Sequence, residues 1–498
     1  MTPSATPRTA PGPDLRRSIG FSMLDKYLSQ LLGILTTLVM ARLLTPAETG
    51  IFVVGQALIL LAENFRDFGI GAYLVQMPVI DRHALRAAFA MTMALSLVMA
   101  CLILAFSAQI AGFYDTPALK PLLHVALIGF FIMPFGTPGI ALLRREMAFK
   151  TLACLNISVA LINAGVTVGL GLTGHGAISY IWGYVVSNAW LALIAFALRP
   201  HPWMFLPSLR GMRPLLRFGV TSAAVTVANM AYDLLPRLLF GKVLGLDAAG
   251  LYARAVTICQ LPDRVLVAGV QPVLLPAMAA SLRRGDALKP GYLRGHQMMS
   301  GLQWPAFLML ALLADPVVAL LLGPQWTQTA PLVRIMALAM MTLAPAFLTF
   351  PTLVAAGRIG DALTATLIAL PPSVLILVLA VPHGLWLAVA STLLVSPLQM
   401  LVALIFIRRA IGLTPREMWD ASRQSLSVTL CTAVLPGLVV LLSPTGFAIG
   451  WGQMVLAALG GAVGWFMGIY LSSHPIHTEA SQLIRRLLSK IGGMAFQR

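Results

Sequence analysis

The sequence predicts an all-α integral membrane protein of about fourteen transmembrane helices, two pseudo-symmetric six-helix bundles followed by two further helices. Three observations lead there. Hydrophobic residues make up 58% of the 498-residue chain and charged residues 10%, with mean hydropathy +0.86. A soluble domain carries about 25% charged residues, so this chain lacks the polar surface to dissolve. Runs of roughly 20 apolar residues, the length that crosses a ~30 Å hydrocarbon core, recur along the whole chain. The third observation is a repeat: ARLLTPAETGIF, Ala41 to Phe52, aligns without a gap on GKVLGLDAAGLY, Gly241 to Tyr252. Arg42 falls on Lys242, Gly50 on Gly250 and, further on, Glu63 on Asp263. A hydrophobic chain that carries the same helix–turn–helix twice, with an acid at the same depth each time, reads as a two-halved transporter.

Taken in order, residues 1–19 are rich in Pro, Thr and Arg and read as a disordered cytoplasmic N-terminus. No small-residue cleavage site follows a short apolar core there, so the first helix reads as a retained signal-anchor. Six spans follow, at about 20–43, 50–75, 86–111, 119–141, 151–173 and 177–198, and form the N-terminal bundle (20–198). The loop 199–214, with its Pro, Arg and Trp203, is a cytoplasmic linker. The C-terminal bundle (215–407) has spans at about 215–241, 249–275, 298–322, 331–353, 361–381 and 384–407. Two additional helices, about 425–443 and 449–471, occupy 408–472, and a basic cytoplasmic tail runs from 473 to 498. Within the tail, Leu483, Ile484, Leu487, Leu488 and Ile491 make one stripe against Arg485, Arg486 and Lys490, which suits a helix lying on membrane lipids as well as a plain stop-transfer tail. Because an even number of spans separates the two copies of the repeat, they keep their orientation, implying a pseudo-twofold axis along the membrane normal and a central cavity.

The net charge of +17 first suggests nucleic acid, but its distribution excludes that class. With the N-terminus inside, 25 of the 34 Lys and Arg residues fall on cytoplasmic segments and only Arg42, Lys120 and Lys242 at outer turns. This is the positive-inside bias, with both termini cytoplasmic. A nucleic-acid binder gathers its charge on one soluble domain, and this chain has no room for one. The remaining six cations lie within spans: Lys26, Arg66, Arg237, Arg254, Arg264 and Arg334.

Those six, with the acids near them, are the candidate functional residues, since an ionisable group inside a membrane is costly. Lys26 follows Asp25 near the inner end of the first span. Glu63, Arg66 and Asp67 occupy the middle to inner half of the second. Asp233 and Arg237, four apart on one helix face, lie in the seventh. Arg254, Asp263 and Arg264 are in the eighth, Asp315 in the ninth and Arg334 at the start of the tenth. A net cationic cavity suits a large anion such as a lipid diphosphate, with Arg supplying forked donors. Glu63, Asp263, Asp67 and Asp233 are the candidates for ion coupling. Plainer readings stand beside these. Arg254 and Arg334 lie near span ends, where long side chains snorkel. Asp233 with Arg237 reads equally as a structural pair, Asp25-Lys26 as interfacial, and the deeper acids and arginines as internally paired.

Other patterns carry no function. Gly169 to Gly174 fits GxGxxG but ends a membrane helix with no preceding strand. Asn156-Ile-Ser158 is a sequon inside a span. Gly460, Gly464 and Gly468 form a double GxxxG, the mark of a close helix contact. The four cysteines stand singly in apolar segments, and no P-loop occurs, so no metal, disulfide or other cofactor is indicated.

ARLLTPAETGIF followed by Asp67-Phe-Gly-Ile-Gly-Ala-Tyr-Leu-Val75 resembles the opening of the polysaccharide transporter family, the Wzx-type oligosaccharide flippases of the MOP superfamily. The stretches Leu320–Leu338 and Pro351–Arg358 are similar to the same family. The resemblance implies a non-enzymatic flippase of the bacterial cytoplasmic membrane. Its substrate would be undecaprenyl-diphosphate-linked oligosaccharide, moved from the inner to the outer leaflet for exopolysaccharide, O-antigen or capsule assembly. It implies membrane lipids as surroundings, and a polysaccharide polymerase and chain-length machinery as partners. By position, Arg66 and Arg264 would contact the diphosphate or sugar acids. Alternatives are a lipid II or small-molecule exporter of the same superfamily. A membrane polysaccharide polymerase is a further alternative, though such enzymes typically display a large outer loop rich in Arg and His, and the outer loops here are short.

Overall fold

The computed structural model describes residues 13–77, 82–208, 212–264 and 287–477. These are helical, with no strand among the described residues. In chain order the α-helices are α1 (Pro13–Leu43), α2 (Pro46–Asp67), α3 (Ile70–Gln76), α4 (Arg82–Phe113), α5 (Leu119–Arg145), α6 (Phe149–Leu172), α7 (Ile178–Leu198), α8 (Met212–Val243) and α9 (Leu246–Cys259). There follow α10 (Leu288–Leu312), α11 (Ala314–Leu321), α12 (Thr329–Leu343), α13 (Thr349–Ala355), α14 (Ile359–Ala380), α15 (Leu385–Ala390), α16 (Thr392–Ile411), α17 (Pro415–Leu442) and α18 (Trp451–Leu471).

Among the described residues, 10 helices are long and apolar enough to cross a membrane, or 11 if the pair α10 and α11, bent by 82°, counts as one span. That is short of the expected fourteen. Much of the eighth expected span lies in 265–286, outside the described residues. The first is present as a 31-residue helix, α1. Residues 1–12 of the expected disordered N-terminus, and the stripe expected from Leu483 to Ile491, also lie outside the described residues.

The repeat is visible in the helix boundaries. α1 ends at Leu43 and α8 at Val243; α2 begins at Pro46 and α9 at Leu246. The first junction is closed by a capping box, in which Thr45 Oγ1 accepts from the Glu48 N–H and Glu48 Oε2 accepts from the Thr45 N–H at 2.9 Å. Pro46 opens the helix, where its missing N–H costs nothing. At the second junction Gly245 takes φ +89°, a turn other residues resist.

The chain divides into two compact units, Met1–Gly250 and Leu251–Arg498. Within the first, α1 packs on α6, α6 on α7, α7 on α5, α5 on α4, and α2 on both α5 and α8. Gly50 and Gly250 meet here: a Cβ on Gly50 would lie 1.9 Å from the Leu246 carbonyl oxygen, and one on Gly250 would lie 2.1 Å from that of Pro46. Only a missing side chain on both helices allows this approach. In the second unit α10 contacts α12 and α17, α16 contacts α12 and α14, and α17 pairs with α18. The double GxxxG closes the last pair, with the Gly464 face on the Cys431 carbonyl and that of Gly468 on Val428. Buried serines and histidines join α10 to α17. His296 Nε2 meets Ser422 Oγ at 2.9 Å, Ser300 Oγ donates to Ser425 Oγ at 2.9 Å, and His474, just past α18, reaches Ser425 at 3.1 Å.

Candidate functional site

In the first unit, α2 ends in a charge cluster. Arg66 is 2% exposed, deep for a cation that must be paired to survive there. It donates from Nε and Nη2 to Asp67 Oδ1 at 3.1 and 2.9 Å, and from Nη2 to Glu63 Oε1 at 3.5 Å. Its guanidinium lies 5.3 Å over the Phe130 ring, and Nη1 is buried with no partner among the described residues. Glu63 Oε1 also accepts a 2.5 Å hydrogen bond from Tyr184 Oη on α7. Tyr184 fits because α5 presents Gly129 to it, where a Cβ would stand 2.5 Å from Cε1. α2 stops one residue after Arg66 because Phe68 (φ +44°) and Gly69 (φ +68°) turn left-handed.

One turn along α7 from Tyr184 a polar cavity opens, of about 560 Å³. α1 lines it with Asp25, Lys26, Ser29, Gly33 and Thr36, one stripe at helical spacing. α6 adds Asn156 and Asn163, and α7 adds Ser187. Asn156 Nδ2 donates to Asp25 Oδ2 at 2.7 Å, and Ser29 Oγ to Asp25 Oδ1 at 3.2 Å. Asn163 Nδ2 donates to Ser187 Oγ at 3.4 Å, which in turn donates to the Tyr184 carbonyl at 3.0 Å. Tyr184 thus borders both features: its carbonyl accepts from Ser187 at the cavity, and its Oη, at the far end of the ring, donates to Glu63. Lys26 is exposed at the cavity and makes no ion pair among the described residues. Amides, hydroxyls and a carboxylate at this spacing match the alternating donors and acceptors of a polyol, and the ammonium adds one positive charge for an anion.

The other sequence candidates are placed differently. Arg264 Nη2 donates to Gln260 Oε1 at 2.7 Å, and Asp263 Oδ1 accepts from Gln303 Nε2 at 2.7 Å. The acid of the second repeat is thus answered by an amide forty residues away, unlike Glu63 with its arginine. Arg334 bonds Asp315 and, at 3.2 Å, the Ala311 carbonyl, with its Cζ 3.7 Å over the Phe447 ring. Arg254 is buried with its Cζ 5.4 Å over Trp326. Asp233 is exposed and Arg237 half-buried, and no ion pair joins them among the described residues. Sequence reasoning missed Ser29, Asn156, Asn163, Ser187 and Tyr184. The signal was there in the period of Asp25, Ser29, Gly33 and Thr36, each unremarkable alone.

The chain is 25% identical over 307 residues to the lipopolysaccharide biosynthesis protein WzxC of Escherichia coli, covering 61% of this chain and 62% of that one. It is 25% identical over 362 residues to the succinoglycan biosynthesis transport protein ExoT of Rhizobium meliloti, covering 72% of each. The matched stretch thus spans less than two thirds of WzxC. Among solved structures, the lipid II flippase MurJ in an inward closed conformation aligns with TM-score 0.71 at 13% identity, over 94% of this chain and 100% of that one. An inward-facing MATE multidrug transporter of the MOP superfamily aligns with TM-score 0.56 at 15% identity, over 79% and 96%. These two show the fold, a multi-pass helical transporter fold. The polysaccharide biosynthesis protein family matches residues 39–331, more than half the chain, and it is to this family that the chain belongs.

Proposed function

We propose that this protein is a flippase that moves undecaprenyl-diphosphate-linked oligosaccharide repeat units from the inner to the outer leaflet of the bacterial cytoplasmic membrane by alternating access. The observation that carries the reading is the polar cavity among α1, α6 and α7, walled by apolar helices and bordered by Tyr184, whose phenol holds Glu63 of the Glu63–Arg66 cluster. Family membership and relatives named for lipopolysaccharide, succinoglycan and teichuronic acid biosynthesis support a saccharide as cargo.

In this reading sugar hydroxyls bond with Ser29, Asn156, Asn163 and Ser187, and Lys26 meets the diphosphate. Arg66 offers its unpartnered Nη1 to an anionic cargo group, and Arg264, on the second unit, is a candidate cargo contact in its own right. Asp67 neutralises most of Arg66, so anion binding there is modest until the pair opens. Glu63 and Asp263 are the proposed coupling acids, with Asp233 a lesser one. Arg254, stacked on Trp326, and Arg334, held by Asp315 and Phe447, serve the protein's own packing first; Arg237 remains a candidate contact. The protein carries out transport rather than catalysis, both termini face the cytoplasm, and a polymerase with its chain-length machinery takes up the product.

The test is deletion in the native host followed by mass spectrometry of extracted lipids. Accumulation of an intact polyprenyl-linked repeat unit, relieved by the wild-type gene, supports the proposal. Loss of surface polysaccharide with no such intermediate sinks it.

A further inference from the structure

A second cavity, in the second unit, has a different character. It is a groove of about 590 Å³ along α16, bounded by α10, α12 and the start of α17. Its rim carries Leu401 (54% exposed), Ile405 (50%) and Trp419 (61%), apolar side chains that belong against lipid. Its few polar side chains are nearly all satisfied from within. Trp304 Nε1 donates to the Met341 carbonyl, Thr342 Oγ1 to Ala339, and Thr414 serves the α17 capping box with Glu417. Ser422 donates to the Met418 carbonyl and meets His296. The exceptions are Arg408 at one end and the exposed Trp419 indole on the rim, whose side chains make no ion pair or hydrogen bond among the described residues. No sugar fits such a lining, because its many hydroxyls would find almost no partner along the groove. An apolar chain with a single anionic head does fit.

Length and charge narrow the occupant. From Pro397 to Arg408 the groove follows twelve residues of α16, eleven rises of ~1.5 Å or ~16 Å. That is about half of a ~30 Å hydrocarbon core, the depth of one leaflet. Arg409 and Arg416 are exposed at the same end, so the mouth is positive, as at sites between transmembrane helices that hold anionic lipid head groups. We propose that the groove binds one anionic glycerophospholipid of the adjoining leaflet, with an acyl chain along α16 and its phosphate on Arg408. Arg presents two parallel donors to phosphate oxygens, which gives the site its preference. The lipid would brace α16 against α17 across the Gly412 turn (φ +65°).

The full chain, purified in mild detergent and stripped of lipid, is titrated with dioleoyl-phosphatidylglycerol and read by native mass spectrometry. The wild type takes up one tightly held lipid. Arg408→Ala lowers that adduct about fivefold, the effect of one basic residue at a lipid surface. Leu401→Trp, which keeps the charge and fills the groove, lowers it at least as much; Ile405→Trp repeats the test should the first variant not elute as a single species. Arg144→Ala, the same charge change at an exposed position of α5 in the first unit, leaves it intact. Equal loss in Arg144→Ala, retention in both Trp variants, no adduct on the wild type, or displacement by equimolar undecaprenyl phosphate would each overturn the proposal.

Discussion

Tyr184 Oη donates to Glu63 Oε1 at 2.5 Å, binding α7 to the charged end of α2 one turn along α7 from the polar cavity. Tyr184→Phe leaves Glu63 without its shortest hydrogen bond. Truncation of a hydrogen bond to a buried charged group costs about 1–3 kcal/mol. Thermal unfolding in detergent is expected to occur at lower temperature, and transport to fall about tenfold, equivalent to ~1.4 kcal/mol. Gly129→Ala, which pushes Tyr184 aside through its 2.5 Å contact, should reproduce both effects.

Lys26→Ala should reduce transport about tenfold, the loss of one charge-assisted contact, while membrane insertion is unchanged. Lys26→Arg should restore most of it. Arg66→Ala and Arg264→Ala should also lower transport. The first should destabilise as well, because Glu63 is then left buried with only Tyr184. Wild-type transport in a well-inserted Arg66→Ala/Arg264→Ala protein would remove both as cargo contacts.

Gly50→Ala should prevent accumulation of folded protein, since its Cβ would collide with the Leu246 carbonyl at 1.9 Å, and backbone cannot swing aside as a side chain does. Gly250→Ala should do the same. Gly165→Ala, with nothing within 4 Å, should be neutral or gain up to ~1 kcal/mol of helix propensity. Size-exclusion profiles of fluorescently tagged variants separate these outcomes.

His474, just outside the last span, is buried, and burial pushes its imidazole below the ordinary range. The Ile476 N–H points at Nδ1, which assigns the proton to Nε2, facing Ser425. A depressed folded-state value means the unfolded chain takes up a proton first. Stability is therefore complete above pH ~6.5, the ordinary imidazole value, and falls as pH drops below it. Melting scans from pH 7.5 to 5.5 should show this decline. In His474→Gln the slope should flatten, with lower stability at pH 7.5.

Much of this was legible in the chain itself. Thr45, Pro46 and Glu48 spell a helix start, the aligned Gly50 and Gly250 a close crossing, and Glu63 with Arg66 an i,i+3 pair; all are local signals. What sequence could not supply was tertiary. Asp315 and Arg334 read as separate candidates until the 82° bend between α10 and α11 brought them together. Asp263 has no arginine three residues on, and only folding shows Gln303 answering it. Asn156 stood out as part of an unusable sequon, while its real partner, Asp25, lies 131 residues earlier.

The most direct measurement is the sidedness of polyprenyl-diphosphate-linked oligosaccharide in oriented inner-membrane vesicles. It should be made with the wild type, with Lys26→Ala/Asn163→Ala and without the protein. The account predicts outer-leaflet oligosaccharide with the wild type, and retention on the cytoplasmic leaflet in the other two. Equal transfer to the outer leaflet in all three would contradict it.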